Sequence, residues 1–147
     1  MSDDLMRKKP KVGEDIVEIL EGLDERLRWL SSWTIHNANH LREGRDGLKV
    51  GGHQASCASI STLMTVLYFT ALGPNDRVAV KPHAAPVLHA IEYLLGRQSL
   101  EQLQNFRGFK GMQSYPSRTK DVIPVDFSTG SVGLGVAITA FASIVQD

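Results

Sequence analysis

An α/β fold is the class this sequence predicts, and three observations lead to it. From Glu14 onward apolar residues recur at spacings of three and four, the mark of an amphipathic helix. Further on, Arg77-Val78-Ala79-Val80-Lys81 has the β-branched centre of a short buried strand, bounded by the turn signal Gly73-Pro74-Asn75-Asp76 and by Pro82. A helical pattern from Pro86 to Leu95 follows directly, so the two make a strand-to-helix unit.

The elements are expected in this order. Residues 1–13 are polar, carry Arg7, Lys8 and Lys9 with no apolar segment of a signal peptide behind them, and are expected to form a flexible N-terminal arm. In the first helix Ile16, Ile19, Leu20, Leu23, Leu27 and Leu30 share one face. Ser31 to Leu41 reads as a second helix capped by a serine and ended by Gly44 and Gly47. From Ser56 to Leu72 the residues Ile60, Leu63, Met64, Leu67 and Tyr68 fit helical periodicity, and small Ala55, Ser56, Ala58 and Ser59 let another backbone approach. After the strand, Gly96 ends the Pro86–Leu95 helix, and Ser99 with Gln102 has the spacing of a capping box for a short helix. Asn105 to Pro124, with Gly108, Gly111, Pro116 and the basic Arg107, Lys110, Arg118 and Lys120, shows no period and reads as a long functional loop. Val125-Asp126-Phe127 reads as a short strand, and the run Gly130 to Gly135 feeds a final apolar helix through Ala137, Ile138, Phe141 and Val145.

Composition narrows the function classes. With 147 residues, 42% hydrophobic and 22% charged, the chain suits one ordinary globular domain. Lysine plus arginine and aspartate plus glutamate both total 16, so no overall field draws nucleic acid or an anionic membrane. The single cysteine, Cys57, excludes an internal disulfide framework and a four-thiolate metal site, and makes the cytoplasm the default location. The stretch from Phe127 to Gln146 has no charge but is broken by glycine, serine and threonine, well short of a membrane span.

Three features at element edges carry candidate chemistry. Gly51-Gly52-His53-Gln54 places an imidazole just before a helix, where it can donate to an anion or move a proton near neutral pH; alone, it reads first as a turn with an exposed histidine. Val80-Lys81-Pro82-His83 places a second imidazole past the end of a strand, the edge where ligands collect in open parallel sheets; alone, it reads first as an incidental loop residue. Ser128 to Gly135 opens a helix with glycines that let the backbone approach a ligand, but lacks the lysine of a P-loop. Cys57 lies four residues after His53, yet a cysteine among alanines and serines reads as a packing residue. His36 and His40 share metal-site spacing without an intervening glutamate or a third ligand, and read as structural or surface groups; no metal site is assigned.

Taken together and in order, six motifs resemble a known family: Lys49-Val50-Gly51-Gly52-His53-Gln54-Ala55-Ser56, Lys81-Pro82-His83-Ala84-Ala85-Pro86-Val87, Leu95-Gly96-Arg97-Gln98, Gln102 to Arg107, Ser114-Tyr115-Pro116, and Ser128 to Gly135. They are similar to the homodimeric, decarboxylating first component of the pyruvate dehydrogenase complex, whose wider relatives are the transketolases. One departure stands out, since Pro82 occupies a position where the family often has glycine.

The resemblance implies a parallel sheet flanked by helices that binds the diphosphate end of thiamine diphosphate. Residues 14–147 would be part of that domain, ending before the Gly-Asp-Gly motif that holds magnesium, which does not occur in this sequence. His53 would reach the diphosphate and the reacting centre, and His83 would stand beside the thiazolium and the donor. The turn Gly130-Ser131-Val132 would touch the aminopyrimidine through its backbone. Such cofactor chemistry asks the protein for orientation and for donors aimed at developing negative charge, which imidazoles and backbone amides supply. The implied activity is decarboxylation of pyruvate or a similar 2-oxo acid, with the acyl group passed to a lipoyl-bearing acyltransferase by a homodimer of the complete protein. A transketolase-like two-carbon transfer and a non-catalytic assembly module are the alternatives. By itself the chain is expected to be inactive and, with helices left uncovered, to self-associate.

Overall fold

The computed structural model describes residues 13–43 and 47–146. Residues 1–12, which hold nearly all of the expected flexible arm, and Gly44, the expected helix stop, lie outside the described residues. Among the described residues five α-helices follow in order: α1 Glu14–His36, α2 Gln54–Val66, α3 Ala85–Leu94, α4 Leu100–Gln104 and α5 Leu134–Gln146. A 3₁₀ turn, Pro82–Ala84, leads into α3.

The expected second helix from Ser31 is the continuation of α1. Ser31 does not cap; its hydroxyl donates to the Arg28 carbonyl at 3.2 Å, a bond to the preceding turn that serines make inside helices. Past His36 the helix widens into a π turn, Asn37–Leu41, closed by Arg42 N–H donating five residues back to the Asn37 carbonyl at 2.9 Å. Helix α2 ends the same way, in the π turn Leu67–Ala71, where Leu72 N–H meets the Leu67 carbonyl at 3.0 Å.

No strand forms among the described residues, so the parallel sheet is not observed and the α/β class is corrected to an all-helical arrangement with long irregular connections. Strand propensity was present at Val78 and Val80, but a strand exists only where a second backbone pairs with it. Here side chains take that place: Val78 N–H donates to Asp126 Oδ2 at 2.9 Å, and the Val80 carbonyl accepts from Thr129 Oγ1 at 2.9 Å. The expected strand Val125-Asp126-Phe127 fails for the same reason, its aspartate being spent on Val78 and, at 3.7 Å, on Arg77.

Helix α3 is the centre of the core. All of Ala85 to Glu92 is buried, and α1 and α2 pack against it and against each other. Leu27, Leu30, Ile35, Cys57, Met64, Val87, Leu88 and Ile91 close this three-helix contact, with Leu103, Phe106, Met112 and Ile123 added beneath the long loop. Pro86 suits the first turn of α3, where its missing N–H is no loss. Gly96 (φ +72°) ends the helix in a left-handed cap, with Arg97 N–H on the Glu92 carbonyl at 2.8 Å and Gly96 N–H on that of Tyr93 at 3.0 Å. The capping box forms as its spacing predicts: Gln102 N–H donates to Ser99 Oγ at 3.2 Å and Ser99 N–H to Gln102 Oε1 at 2.8 Å.

Two polar networks tie the layers. Asp24 of α1 is buried against α2, accepting hydrogen bonds from Ser61, from Thr62 at 2.7 Å and from Arg28 Nε at 3.2 Å. Burial works against its charge, but the bonds from Arg28, Ser61 and Thr62 and the Arg28 charge together outweigh it and hold the carboxyl below its ordinary 3.8. On α3, the buried His89 ring meets Gln98 Oε1 at 3.0 Å and the Gln113 carbonyl at 2.9 Å, while Asp121 accepts from Gln113 N–H at 3.1 Å and Ser117 N–H at 2.8 Å. The long basic loop is thereby fastened to α3. Helix α5 contributes no buried residue; Phe141 and Val145 are 70% and 84% exposed.

Candidate functional site

The Gly51-Gly52 turn delivers His53 to the N-terminus of α2, where it is the cap residue. Gly52 has φ +130°, and a Cβ there would lie 2.8 Å from Ile35 Cγ2, so only glycine fits between α1 and the loop. The 3₁₀ turn after Lys81 delivers His83 to the same place. The two imidazoles face each other with centroids 4.2 Å apart and planes tilted by 43°.

Cys57 underlies the pair. Its N–H donates to the His53 carbonyl at 3.0 Å and its thiol to the His83 carbonyl at 3.3 Å, so one buried residue touches the main chain of both histidines. Burial pushes the thiol up to about 11, against a weaker pull from a main-chain hydrogen bond at Val87, and it stays protonated at neutral pH. The sulfur is bonded to a carbonyl oxygen, which fits a packing residue rather than a nucleophile.

His83 also lines a cleft of about 350 Å³ whose opposite wall is Thr129 to Gly133. Gly130, Ser131 and Val132 are therefore in the same cleft as His83, while His53 joins it through the ring contact and does not itself line it. Thr129 fixes this wall through its bond to Val80, and Tyr115 packs so closely that a Cβ on Gly130 would lie 3.1 Å from its ring. The run then turns at Gly133 (φ +84°) into α5, whose Gly135 and Val136 also line the cleft. Lys81 is the cleft's ammonium group, and none of its lining residues is acidic. The electrostatic character is that of an anion acceptor with an aromatic wall.

His36 at the end of α1 and His40 on the π turn stack on each other at 4.9 Å and line a second cleft of about 200 Å³ with Lys49, Gly51, Gly52 and Gln54, not the cleft that His83 lines. Among the described residues no group of three histidines, cysteines or carboxylates is placed to hold a metal ion. No described helix is long and apolar enough to cross a membrane. Sequence reasoning assigned no role to Lys81, Tyr115 or Thr129, although all three lie inside quoted motifs. It also passed over Asn39 and read Arg107 only as a basic loop residue, yet both hold the glycine turn from outside, Asn39 through Gly51 and Arg107 through the Val50 carbonyl.

No family model matches the chain. Curated proteins do. A pyruvate dehydrogenase E1 component of Cupriavidus necator is 36% identical over 124 residues, covering 78% of this chain and 14% of that protein. The Escherichia coli K12 pyruvate dehydrogenase E1 component is 32% identical over 128 residues, 81% of this chain and 14% of its own length. Transketolase-like protein 2 of mouse is 30% identical over 142 residues, 89% of this chain and 21% of its own. The chain thus spans about 14% of the length of the E1 components it matches. At 30–36% identity over most of the chain, these likenesses are to proteins named pyruvate dehydrogenase E1 component and transketolase-like protein, the group to which the ordered motifs pointed.

Proposed function

We propose that this chain forms the diphosphate-side part of a thiamine-diphosphate-dependent 2-oxo acid dehydrogenase that decarboxylates pyruvate or a similar 2-oxo acid and hands the acyl group to a lipoyl-bearing acyltransferase. One observation supports the reading: His83 and the Gly130–Val132 turn, far apart in sequence, line one cleft, and the His53 ring contacts His83 from beside it. Nothing in helix packing alone requires two exposed imidazoles to face each other beside a glycine-rich helix start.

The residues fit the organic part of the cofactor. A cleft of about 350 Å³ is in the range that takes a ligand of this size, and its donors are cationic or neutral with no lining carboxylate to repel a diphosphate. They do not supply a magnesium site, so the oxygen ligands of a metal would come from elsewhere in a complete protein.

When bound there, the cofactor would supply a nucleophilic carbon and a cationic ring able to take up the electron pair released on decarboxylation. His53 has the role of donating a ring N–H to a diphosphate oxygen. His83 has the role of donating a ring N–H to the donor's oxygen as negative charge builds there, the kind of pre-aimed donor that lowers a barrier most when water is excluded. Gly130, Ser131 and Val132 orient the pyrimidine with main-chain groups, and such orientation contributes several kcal/mol.

Calorimetric titration of the complete protein with thiamine diphosphate and magnesium tests this. His53→Ala and His83→Ala are each expected to lower turnover about a hundredfold or more, and His53→Ala to weaken cofactor binding. Unchanged turnover in both variants would remove the imidazoles from the chemistry. A second reading, two-carbon ketol transfer, is favoured by the likeness to a transketolase-like protein over 89% of the chain. Supplying the complete protein with a lipoyl acceptor in one assay and an aldose acceptor in another separates the two.

A further inference from the structure

A ring that follows two glycines is hard to hold still. Gly51 (φ +80°) and Gly52 (φ +130°) adopt conformations closed to most residues and, lacking Cβ atoms, are the freest links in the chain. His53 keeps its place against His83 only if something outside the pair fixes the turn. Arg107 holds the Val50 carbonyl and Ile35 packs on Gly52, each from one side.

Asn39 does more. Its Oδ1 accepts from Gly51 N–H at 3.0 Å, its Nδ2 donates to the Gly51 carbonyl at 2.9 Å, and the same Nδ2 is anchored on the Ile35 carbonyl at 2.7 Å. A carboxamide that takes both main-chain groups of one residue fixes its position and its rotation together. Asn39 is 6% exposed, so these bonds face little competition from water. The π turn of α1 is what aims it, since widening the helix at Asn37–Leu41 sets this side chain toward the glycine loop.

We propose that Asn39 is the positioning residue for His53, holding the Gly51 peptide so that the imidazole stays in contact with His83. This rests on the reading of His53 as a cofactor-facing group. Asn37 provides a matched control: it lies in the same π turn, is 8% exposed, and donates Nδ2 to the Gln104 carbonyl at 2.9 Å, at the end of α4 and away from the glycine turn.

The test is nuclear magnetic resonance on the full chain, following the cross-peak between His53 and His83 ring protons that a 4.2 Å centroid separation produces. The cross-peak is expected to be lost in Asn39→Ala and kept in Asn37→Ala, although both variants melt earlier than wild type. Persistence in Asn39→Ala overturns the proposal. Loss in both variants also overturns it, because general loosening of the turn would then suffice. Should Asn39→Ala fail to fold, Asn39→Asp keeps an oxygen for the Gly51 amide but drops both donated bonds, and an undiminished cross-peak there is equally fatal. Thiamine diphosphate titration of His53→Ala in the complete protein judges the underlying reading separately: a silent His53→Ala refutes that reading, while the ring contact still decides the role of Asn39.

Discussion

Replacing Gly52 by alanine tests how the site is wedged against the core. Two costs can be worked from the structure. The first is conformational: at φ +130° an alanine occupies backbone space essentially reserved for glycine, at about 1–3 kcal/mol. The second is steric, because the new Cβ would lie 2.8 Å from Ile35 Cγ2 and 2.9 Å from Ile35 Cγ1. Carbon atoms rest at about 3.5–4.0 Å, so one side must yield by roughly 0.7 Å, and overpacking of this kind costs about 1–3 kcal/mol. The sum is about 2–6 kcal/mol, read from urea unfolding midpoints at constant slope. Gly96→Ala is the internal standard: φ is +72° but nothing lies within 4 Å of the added Cβ, so only the left-handed cost of about 1–2 kcal/mol applies. Trimming the neighbour separates the two terms, since Gly52→Ala combined with Ile35→Ala should be less destabilised than the two single changes added, by about 1–3 kcal/mol. A Gly52→Ala chain within about 0.5 kcal/mol of wild type would refute the whole account. Strict additivity of the pair would refute the wedge and leave the backbone cost alone.

Two further outcomes follow from the titrating groups. Asp24→Ala should destabilise the chain by about 1–3 kcal/mol at neutral pH, because Ser61 loses a buried acceptor. Since the folded carboxyl lies below its ordinary 3.8, that stabilisation is complete above 3.8 and is lost as pH falls through the folded value; melting curves of wild type and variant should converge in acid, and a gap that persists there would count against it. Cys57, raised from 9.0 to about 11, presents about a hundredfold less thiolate than an ordinary thiol below pH 9, and burial slows attack further. A thiol reagent at pH 8 should label it only as fast as the chain opens, with denaturant restoring the rate, whereas prompt labelling of the folded chain would contradict the assignment.

What could be read from the chain alone depended on the range of each interaction. Ser99 and Gln102 announce their capping box because both bonds close within three residues, and Gly96 announces a helix end because its φ is a local property. Val78 and Val80 have the right side chains for a strand, but pairing is decided by what lies beside them, and that proved to be Asp126 and Thr129 side chains. His53 and His83 were singled out by ordered motifs, while their contact across 30 positions needed the packing of α2 on α3. Asn39 carried no signal, since an asparagine inside a helix reads as a weak helix former until the wider turn that aims it is seen.

The widened turns that finish α1 and α2 have a consequence for tolerance to insertion and deletion. A π turn holds one residue more than an α turn, so removing one residue from Asn37–Leu41 would restore ordinary winding and change which side chain meets the glycine loop. The carboxamide that grips the glycine loop would then face another direction, and the imidazole downstream would lose its anchor without any change to its own neighbours in sequence. Length at this point in α1 should therefore be as restricted as residue identity, whereas the solvent-facing half-turns near Gly22 have no such dependent.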